Sequence, residues 1–499
     1  MRSLYELTKL QNLRHSAGTR PSAAVMEQDF IAQGLVSRET AEALFARFQQ
    51  VNNRLLWDGI LLASPAASLD AVRRASSLLA AVVLAVGALH SPGREEAFHR
   101  SYDVFVALAR RSALARRHSL DDVAALCIGA FYLANLSWKL SGLASRIAAE
   151  IGLHQAYSRL IHANSPHHTD RDNDIYLSHR RVRLWYAVYV CDRQFSIAHG
   201  RPPASVDDES TRNLQRFLRG PAAEAGDTRL AAQVALCSIL TDAYFAFGSD
   251  ADRPLGETEM ARLRDSTAAL DAWRAEWPPR AHDCPAVRSY PAQALVLYFH
   301  FARFQLNSLA LRGVSAQSPA LLSREHRAAA STAIAAAMST LTLIVDDDDL
   351  RAAFPGVPVF TYTMVAFCAT FLLKMAATWG RLASGEVYPD EIVSLVHRSA
   401  DMLARVAAHV NERHLARHIA TGMAEMLQQF RAEQAAQDAD SLGFALHSSS
   451  SSSSAPVLPP ASVDESSGVY NFRDLEGTFG FGLDETLLGE MAADSFELW

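Results

Sequence analysis

The sequence contains few cysteines, and their spacing gives them no common site. There are five, separated by dozens of residues, and no two have the spacing of metal ligands. Four of them stand in apolar runs, where a free thiol behaves as a small hydrophobic side chain. An odd number of scattered thiols argues against a disulfide framework and favours a reducing compartment, the cytosol or the nucleus. These residues are Cys127, Cys191, Cys237, Cys284 and Cys368.

Motifs of nucleophilic and phosphate chemistry are also missing. The sequence has no Gly-x-Ser-x-Gly elbow, no glycine-rich phosphate loop and no His-Glu-x-x-His pair. His167, His168 and Asp170 stand close together, but they fall in a polar stretch where a chance cluster is the better interpretation. We therefore predict that the chain is not an enzyme and that these residues hold no metal or other cofactor.

Long uninterrupted apolar runs are lacking as well. Met1–Gly18 is mixed and polar, without the hydrophobic core of a secretory signal. Leu78–Leu89 is shorter than the roughly 20 residues that a membrane-spanning helix needs. Val359–Leu373 is longer, but Tyr and Thr residues dilute it and Lys374 closes it. We predict that both are buried helices of a large core and that the chain has no membrane partner.

Positive charge is too sparse to predict nucleic-acid binding by these residues. The formal net charge is −7 at pH 7, whereas proteins that bind nucleic acid directly usually carry a basic surface. One basic cluster does occur, but acidic residues interrupt it nearby, and we interpret it as a solvated helix end. Its members are Arg110, Arg111, Arg116, Arg117 and His118.

Strand signals are nearly absent, whereas helix signals recur along the chain. Apolar residues return at intervals of three and four, in a sequence rich in Ala, Leu and Arg. Ser37 is placed to cap a helix, Ser119–Asp122 forms a capping box, and Pro389 stands like a first-turn proline. We predict an all-α array of about a dozen or more helices.

The composition changes after about residue 440. Ser448–Ser454 is an unbroken serine run, and Pro456, Pro459 and Pro460 follow it. Such a stretch buries too little apolar area to offset the entropy lost on ordering. We predict four parts: a flexible segment at 1–24, a helical domain at 25–437, a Ser/Pro-rich linker at 438–462, and a disordered acidic-aromatic segment at 463–499.

The acidic-aromatic segment has the composition of an activation domain. Repulsion between its carboxylates keeps the chain expanded, which leaves the apolar side chains available to a shallow groove with a basic rim. A solubilising tail is the alternative, but such tails rarely carry so many aromatic and leucine residues. We predict that a coactivator or the transcription machinery binds Phe472, Phe479, Phe481, Leu487, Leu488, Phe496 and Trp499.

Two segments of the helical domain are more specific than its composition. The first begins Trp138-Lys-Leu-Ser-Gly142 and ends Gly152-Leu-His154; the second begins Arg180-Arg-Val-Arg-Leu-Trp185 and closes on Gly200-Arg-Pro-Pro203. Together they resemble the middle homology region of fungal zinc-cluster transcription factors. That region has a Trp-x3-Gly-x-Ala helix followed by an Arg-Arg-x-Trp-Trp-x-x-Tyr-x-x-Asp-Arg helix, with Val182 and Tyr186 as mild departures here. The matching residues are Trp138, Gly142, Gly152, His154, Arg181, Trp185, Tyr189, Asp192, Arg193, Gly200, Arg201 and Pro202.

Residues of both segments fit a structural role better than ligand contact. Gly142 and Ala144 would let another helix approach closely, and Gly152 suits the left-handed turn that ends a helix. Asp192 and Arg193 would be costly to bury unpaired, so we expect each to meet an opposite charge or a helix end.

The second segment has an apolar face and a stop signal. Leu184, Val188 and Cys191 predict one buried stripe, with Trp185 and Tyr189 beside it. Gly200 predicts the end of the helix, and the two prolines that follow prevent its continuation.

The resemblance implies a nuclear activator of RNA polymerase II genes. It also implies a helical domain that regulates this activity, either by sensing a small molecule or by masking the tail. Family members normally begin with a cysteine module that holds zinc and reads DNA, followed by a coiled coil that forms homodimers. We expect zinc, DNA contact and dimerisation only through such a part upstream of Met1, or DNA contact through a partner protein.

Two other functions fit parts of the sequence. In a terpene-synthase-like enzyme, Asp346–Asp349 would bind magnesium-diphosphate, and Asn173-Asp174 would begin the second metal motif. Leu177 and Arg181 stand where that motif needs Ser and Glu, and the motifs occur in the wrong order, so a solvated loop or N-cap is the better interpretation. A helical adaptor without a transcriptional role is the other alternative, which the acidic-aromatic segment argues against.

Overall fold

Helices provide the regular secondary structure of the chain. The computed structural model describes residues 29–62, 67–163, 171–248, 250, 253–313, 322–379 and 389–447. Within these ranges there is no strand, and one isolated bridge joins Cys284 to Arg288. The predicted all-α class is confirmed.

The α-helices range in length from a single turn to the 33 residues of the last helix. In chain order they are α1 (Arg38–Arg47), α2 (Leu69–Ala75), α3 (Ser77–Leu89), α4 (Glu95–Ser112), α5 (Leu120–Tyr132), α6 (Ser137–Glu150), α7 (Ala156–Ala163), α8 (Arg171–Ala198), α9 (Glu209–Arg212), α10 (Leu214–Leu218), α11 (Ala225–Phe247), α12 (Glu257–Glu276), α13 (Tyr290–Ser308), α14 (Arg324–Asp346), α15 (Asp348–Ala353), α16 (Val359–Trp379), α17 (Pro389–Ala407) and α18 (Leu415–His447). A π-helical turn, Phe48–Asn52, and a short stretch, Asn53–Leu55, extend α1. Short 3₁₀ turns lie at Trp57–Gly59, Ala134–Leu136, Leu153–Gln155, Pro278–Arg280, Leu309–Leu311 and Phe354–Gly356.

The predicted helix starts are confirmed. The Ser37 side chain accepts a hydrogen bond from the backbone N–H of Thr40, and both bonds of the Ser119–Asp122 capping box are present. Helix α17 begins at Pro389. These caps form because a short polar side chain satisfies backbone N–H groups that have no partner within the helix.

Helix α18 continues to His447, beyond residue 437, where we placed the end of the helical domain. Helix α16 continues past the apolar run that Lys374 ends, to Trp379. Lys374 is itself buried, as are Met375 and Ala376 after it.

Two apolar clusters form the core. The first draws mainly on the helices from α1 to α12, and the second on those from α14 to α18. Helix α13 belongs to both, because Leu295 and Phe299 lie in the first cluster while Leu297 and Phe301 lie in the second. The two halves therefore share one buried helix.

Several helices are apolar enough to raise the question of membrane insertion. By length and composition alone, Ala225–Phe247, Arg324–Asp346 and Val359–Thr378 could each span a membrane, and the bent pair Leu120–Tyr132 with Ala134–Glu150 would make a fourth. The apolar windows of the three are 67%, 56% and 94% buried within the protein. Packing in the core accounts for their apolar character, as predicted for Leu78–Leu89, which is entirely buried in α3.

A chain of buried polar and aromatic side chains links the two halves. The Tyr132 hydroxyl donates to the Asn52 carbonyl at 2.8 Å, and the Tyr132 ring lies 5.3 Å from that of His90. The His90 ring lies 4.8 Å from His414, which in turn lies 5.1 Å from Tyr362. Each of these side chains is at most 3% exposed.

Burial keeps the side chains of His90 and His414 neutral. It lowers the pKa of His90 from 6.5 to about 4 and lowers the pKa of His414 well below its usual value, with the neighbouring His90 adding to the effect. His90 Nδ1 donates to the Val86 carbonyl at 2.8 Å, and His414 Nδ1 accepts from the backbone N–H of Ala416 at 3.1 Å. A neutral ring suits both positions.

Acid should therefore weaken the fold through His90. Between pH 6.5 and about 4 the unfolded chain binds a proton that the folded protein does not. The free energy of unfolding therefore decreases as the pH is lowered through this window. His90→Gln should reduce the slope of the unfolding free energy against pH by about 1.4 kcal/mol per pH unit. Urea unfolding from pH 7.5 to 5 measures this slope. His397→Gln is the control, because that side chain is 49% exposed; equal slopes in both variants would refute the prediction.

Candidate functional site

Helix α8 carries the second motif segment through the centre of the first cluster. It packs against α5, α6, α7 and α11, and residues 182–198 are all buried. The predicted stripe of Leu184, Val188 and Cys191 is buried, but so is every other side of the helix. Charged residues on α8 must consequently find partners inside the protein.

Arg183 and Asp227 form a buried ion pair between α8 and the start of α11. Arg183 Nε lies 2.7 Å from one Asp227 carboxylate oxygen, and Arg183 Nη2 lies 2.8 Å from the other. The two side chains are 5% and 0% exposed. Arg183 Nη1 also lies 2.7 Å from Glu224 Oε1, and Nη2 donates to the Ala222 carbonyl at 2.5 Å.

The same carboxylate completes the cap of α11. Asp227 accepts the backbone N–H of Glu224 at 2.8 Å, which closes a capping box. Burial alone would lower the pKa of Arg183, but the hydrogen bonds and charges of Asp227 and Glu224 raise it. The sequence predicted no role for this pair, although acidic residues three positions apart at Glu224 and Asp227 are a helix-start signal.

Arg193 makes a second internal ion pair one turn before the end of α8. Its Nη2 lies 2.7 Å from Asp207 Oδ1, and its guanidinium lies 4.1 Å from the centre of the Tyr189 ring. The Tyr189 hydroxyl donates to the same Asp207 carboxylate. Burial raises the pKa of Tyr189, and the hydrogen bond to Asp207 and its charge raise it further, against the lowering effect of the Arg193 charge, so the phenol stays protonated and can donate.

Arg193 meets an opposite charge, as expected, whereas Asp192 accepts a hydrogen bond from a backbone N–H group. Asp192 Oδ2 accepts the backbone N–H of Ser205 at 2.6 Å, so its partner is a loop amide instead of a charge or a helix end. Arg193 Nη2 donates to the Ser205 carbonyl at 3.1 Å. Both side chains therefore fix the loop after α8 against the body of the helix.

Gly200 ends α8 as predicted. Its φ of +62° lies in the left-handed region that glycine adopts without strain. The N–H of Arg201 then reaches back to the Ser196 carbonyl at 2.8 Å. The Gly200 carbonyl accepts from the Tyr244 hydroxyl at 3.0 Å, which attaches the turn to α11.

Arg201 connects the two motif segments. Its guanidinium lies 4.0 Å from the centre of the Trp138 ring, at the start of α6, and the His199 ring lies 6.1 Å from that indole. Trp138 is 38% exposed, so this contact is at the surface, and Pro202 beside it is exposed.

The turn after α6 faces the middle of α8. Gly152 has a φ of +75°, as predicted, and the exposed His154 ring lies 6.3 Å from that of Trp185. Trp185 is 6% exposed. Its indole N–H and the Nε of the half-buried Arg181, one turn earlier on α8, are buried and have no hydrogen-bond partner among the residues that the structure describes.

The predicted role of Gly142 was wrong. A Cβ atom built on Gly142 would have no neighbour within 4 Å, so no helix approaches this position closely. Ala144, two residues later, is fully buried. The sequence shows a small residue at both positions but does not show which side of α6 faces the core.

The residues that suggested metal chemistry have structural partners. Asp347 caps α15 by accepting from the backbone N–H of Leu350 at 2.8 Å, and Asp349 accepts from the Ser289 hydroxyl at 2.6 Å. The predicted N-cap at Asp346–Asp349 is confirmed. No group of three His, Cys, Asp or Glu side chains within the described ranges is arranged to hold a metal ion.

Some predicted residues lie outside the described part of the chain. His167, His168 and Asp170 are among them, as is the whole acidic-aromatic segment. The thiols of Cys237 and Cys368 are poor nucleophiles at neutral pH, because burial raises the pKa of Cys237 to about 12 and also raises that of Cys368.

Comparison with known proteins identifies relatives along nearly the whole chain. The family described as the middle domain of the transcriptional activator of proteases prtT matches residues 34–433. The transcriptional activator of proteases prtT of Emericella nidulans is 45% identical over 510 aligned residues, which cover 99% of this chain and 73% of that protein. Transcription factor FBD3 of Gibberella moniliformis is 27% identical over 158 residues, 30% of this chain and 20% of that protein.

Removing the charge of Asp227 should destabilise the protein strongly. Asp227→Asn leaves Arg183 buried with Glu224 as its only carboxylate partner among the described residues, and we expect a loss of about 3 kcal/mol in unfolding free energy. Asp271→Asn is the matched control, because the Arg303–Asp271 pair is 34% and 50% exposed and should contribute less than about 1 kcal/mol. Urea unfolding measures both, and equal losses would contradict a special role for the buried pair.

Alanine should be tolerated at Gly142 but not at Gly87. Gly142→Ala meets open space and should raise stability by up to about 1 kcal/mol through helix propensity. Gly87→Ala would place its Cβ 2.4 Å from the Leu44 carbonyl oxygen and should cost about 1–3 kcal/mol. Thermal unfolding of both variants checks this, and the reverse order would show that α1 and α3 are not packed as described.

Proposed function

The chain belongs to the fungal family of the transcriptional activator of proteases prtT, and on that basis we propose that it activates the transcription of protease genes. The resemblance inferred from the two motif segments is thereby confirmed. So is the prediction of a transcriptional regulator that is not an enzyme, in preference to the terpene-synthase-like and adaptor alternatives.

One observation carries the proposal on target genes. Identity of 45% extends over 99% of this chain, so it includes the acidic-aromatic segment as well as the helices. The name of that relative states activation of proteases. An alignment that spans both the helical and the acidic parts supports a shared type of target.

The helical domain supports a regulatory role in this proposal. Its charged motif residues are engaged with other parts of the protein: Arg183 with Asp227, and Arg193 with Asp207. These ion pairs hold the helices in a fixed arrangement. In the proposed regulation, an effector or the tail binds to that arrangement. A small-molecule effector and masking of the tail remain the two forms that we propose for regulation.

Zinc and direct DNA contact belong to another part of the protein in this proposal. The relative extends beyond the aligned residues, which cover 73% of it, and a cysteine module that reads DNA as a dimer would fit there. The coarse role of the chain, contact with the transcription machinery or DNA, follows from its family. We propose that it acts in the nucleus and that the acidic-aromatic segment makes the contact with coactivators.

Tethering residues 455–499 to a heterologous DNA-binding domain should activate a reporter gene. Replacing Phe479, Phe481, Phe496 and Trp499 with Ala should abolish activation at unchanged net charge, because the apolar side chains supply the binding energy. The matched control is a fusion that begins at residue 448 and carries Ala in place of Ser451–Ser454. This fusion should keep full activity. A fusion that is expressed but silent would contradict the activation role.

The proposed target genes require a separate measurement. Disrupting the gene that encodes this chain should lower protease transcripts, and restoring the intact chain should recover them. Transcripts that stay at the wild-type level would refute the assignment to protease genes while leaving the activation test unaffected.

A further inference from the structure

The sequence contains the same short basic motif twice. Two arginines stand three and two residues before a serine in Arg73-Arg-Ala-Ser76 and in Arg116-Arg-His-Ser119. Serine kinases with acidic substrate grooves select this pattern, because guanidinium groups bind carboxylates with charge-assisted hydrogen bonds. From the sequence alone the two sites are equivalent.

The structure makes the first copy inaccessible. Ser76 is 6% exposed and caps α3 by accepting the backbone N–H of Leu79 at 3.1 Å. Arg73 is bound to Asp29 and lies 2.9 Å from Asp70. The acceptor is therefore buried, and one of its arginines is held by carboxylates.

The second copy lies in an exposed loop between α4 and α5. Arg116 and Arg117 are exposed, and Leu114 just before them is 94% exposed. Ser119 is partly exposed and has an extended backbone, with φ of −98° and ψ of 168°. Ser119 caps α5 as Ser76 caps α3, so the two copies differ in exposure and not in backbone form.

We propose that Ser119 is a phosphorylation site for a serine kinase that reads the two arginines before it. In the reaction, Ser119 Oγ forms a bond to the γ-phosphorus of ATP. The bond between that phosphorus and its bridging oxygen breaks, ADP leaves, and the hydroxyl proton passes to the base of the kinase. The proposal does not depend on which genes the chain regulates.

A phosphate at this position would disturb a junction of three helices. Ser119 Oγ accepts the backbone N–H of Asp122 at 3.1 Å, and Asp122 Oδ1 accepts from the Ser76 hydroxyl at 2.7 Å, which links α5 to α3. Asp121 lies 2.5 Å from Arg180 of α8. A phosphoserine adds a charge of about −1.5 to −2 beside these two carboxylates, at a helix N-terminus where the helix dipole favours negative charge, so modification should change the contacts that hold this junction.

The test uses the purified full-length chain, a purified basophilic serine kinase and magnesium-ATP, with phosphopeptides mapped by mass spectrometry. We expect modification of Ser119 and not of Ser76. Replacing both Arg116 and Arg117 with Ala should lower the rate at Ser119 at least about tenfold, since removing one charged hydrogen-bond donor weakens binding by about that factor. Arg110→Ala with Arg111→Ala is the matched control, which removes two arginines of the same basic cluster and should leave the rate unchanged.

A synthetic peptide of residues 113–123 serves as the positive control for the kinase. If the peptide is modified and Ser119 in the folded chain is not, the loop is closed to kinases and the proposal is wrong. Equal modification of Ser76 would overturn the argument from exposure. The phosphorylated chain should also differ in melting temperature from the unmodified chain, with a smaller difference at high salt because salt screens charges; an unchanged melting temperature would refute an effect of the phosphate on this junction.

Discussion

The pairing of Arg183 with Asp227 is the constraint on which the arrangement around α8 depends. A helix buried on all sides cannot leave a guanidinium without a partner, because desolvation of an unpaired charge costs several kcal/mol (about 3–5). Asp227 supplies that partner from the first turn of α11 while it also caps that helix. The position of α11 relative to α8 is thus fixed by charge as well as by apolar packing.

Local signals in the sequence predicted the class and many boundaries of the fold. Ser37, the Ser119–Asp122 box, Gly152 and Gly200 each act through backbone groups within a few residues, so their roles could be inferred without knowing the tertiary structure. Gly142 was misjudged for the opposite reason. Whether a position faces another helix or the solvent depends on neighbours that are distant in the sequence.

The motif cluster shows the same division. The expectation that Arg193 would be paired followed from the cost of burying a charge, but its partner Asp207 comes from the loop beyond the helix stop. Arg183 was overlooked because its partner is 44 residues away. The family of the chain was nevertheless evident from these segments, since residues that fix the packing of helices are distinctive when taken together. Their contacts hold the helices around α8 in one arrangement.

Helix α13 has a consequence for how the helical domain responds to change. Because its opposite faces complete both apolar clusters, neither cluster can be dismantled without exposing part of the other. The two halves should then lose structure in a single cooperative transition, and neither should persist as an isolated fragment.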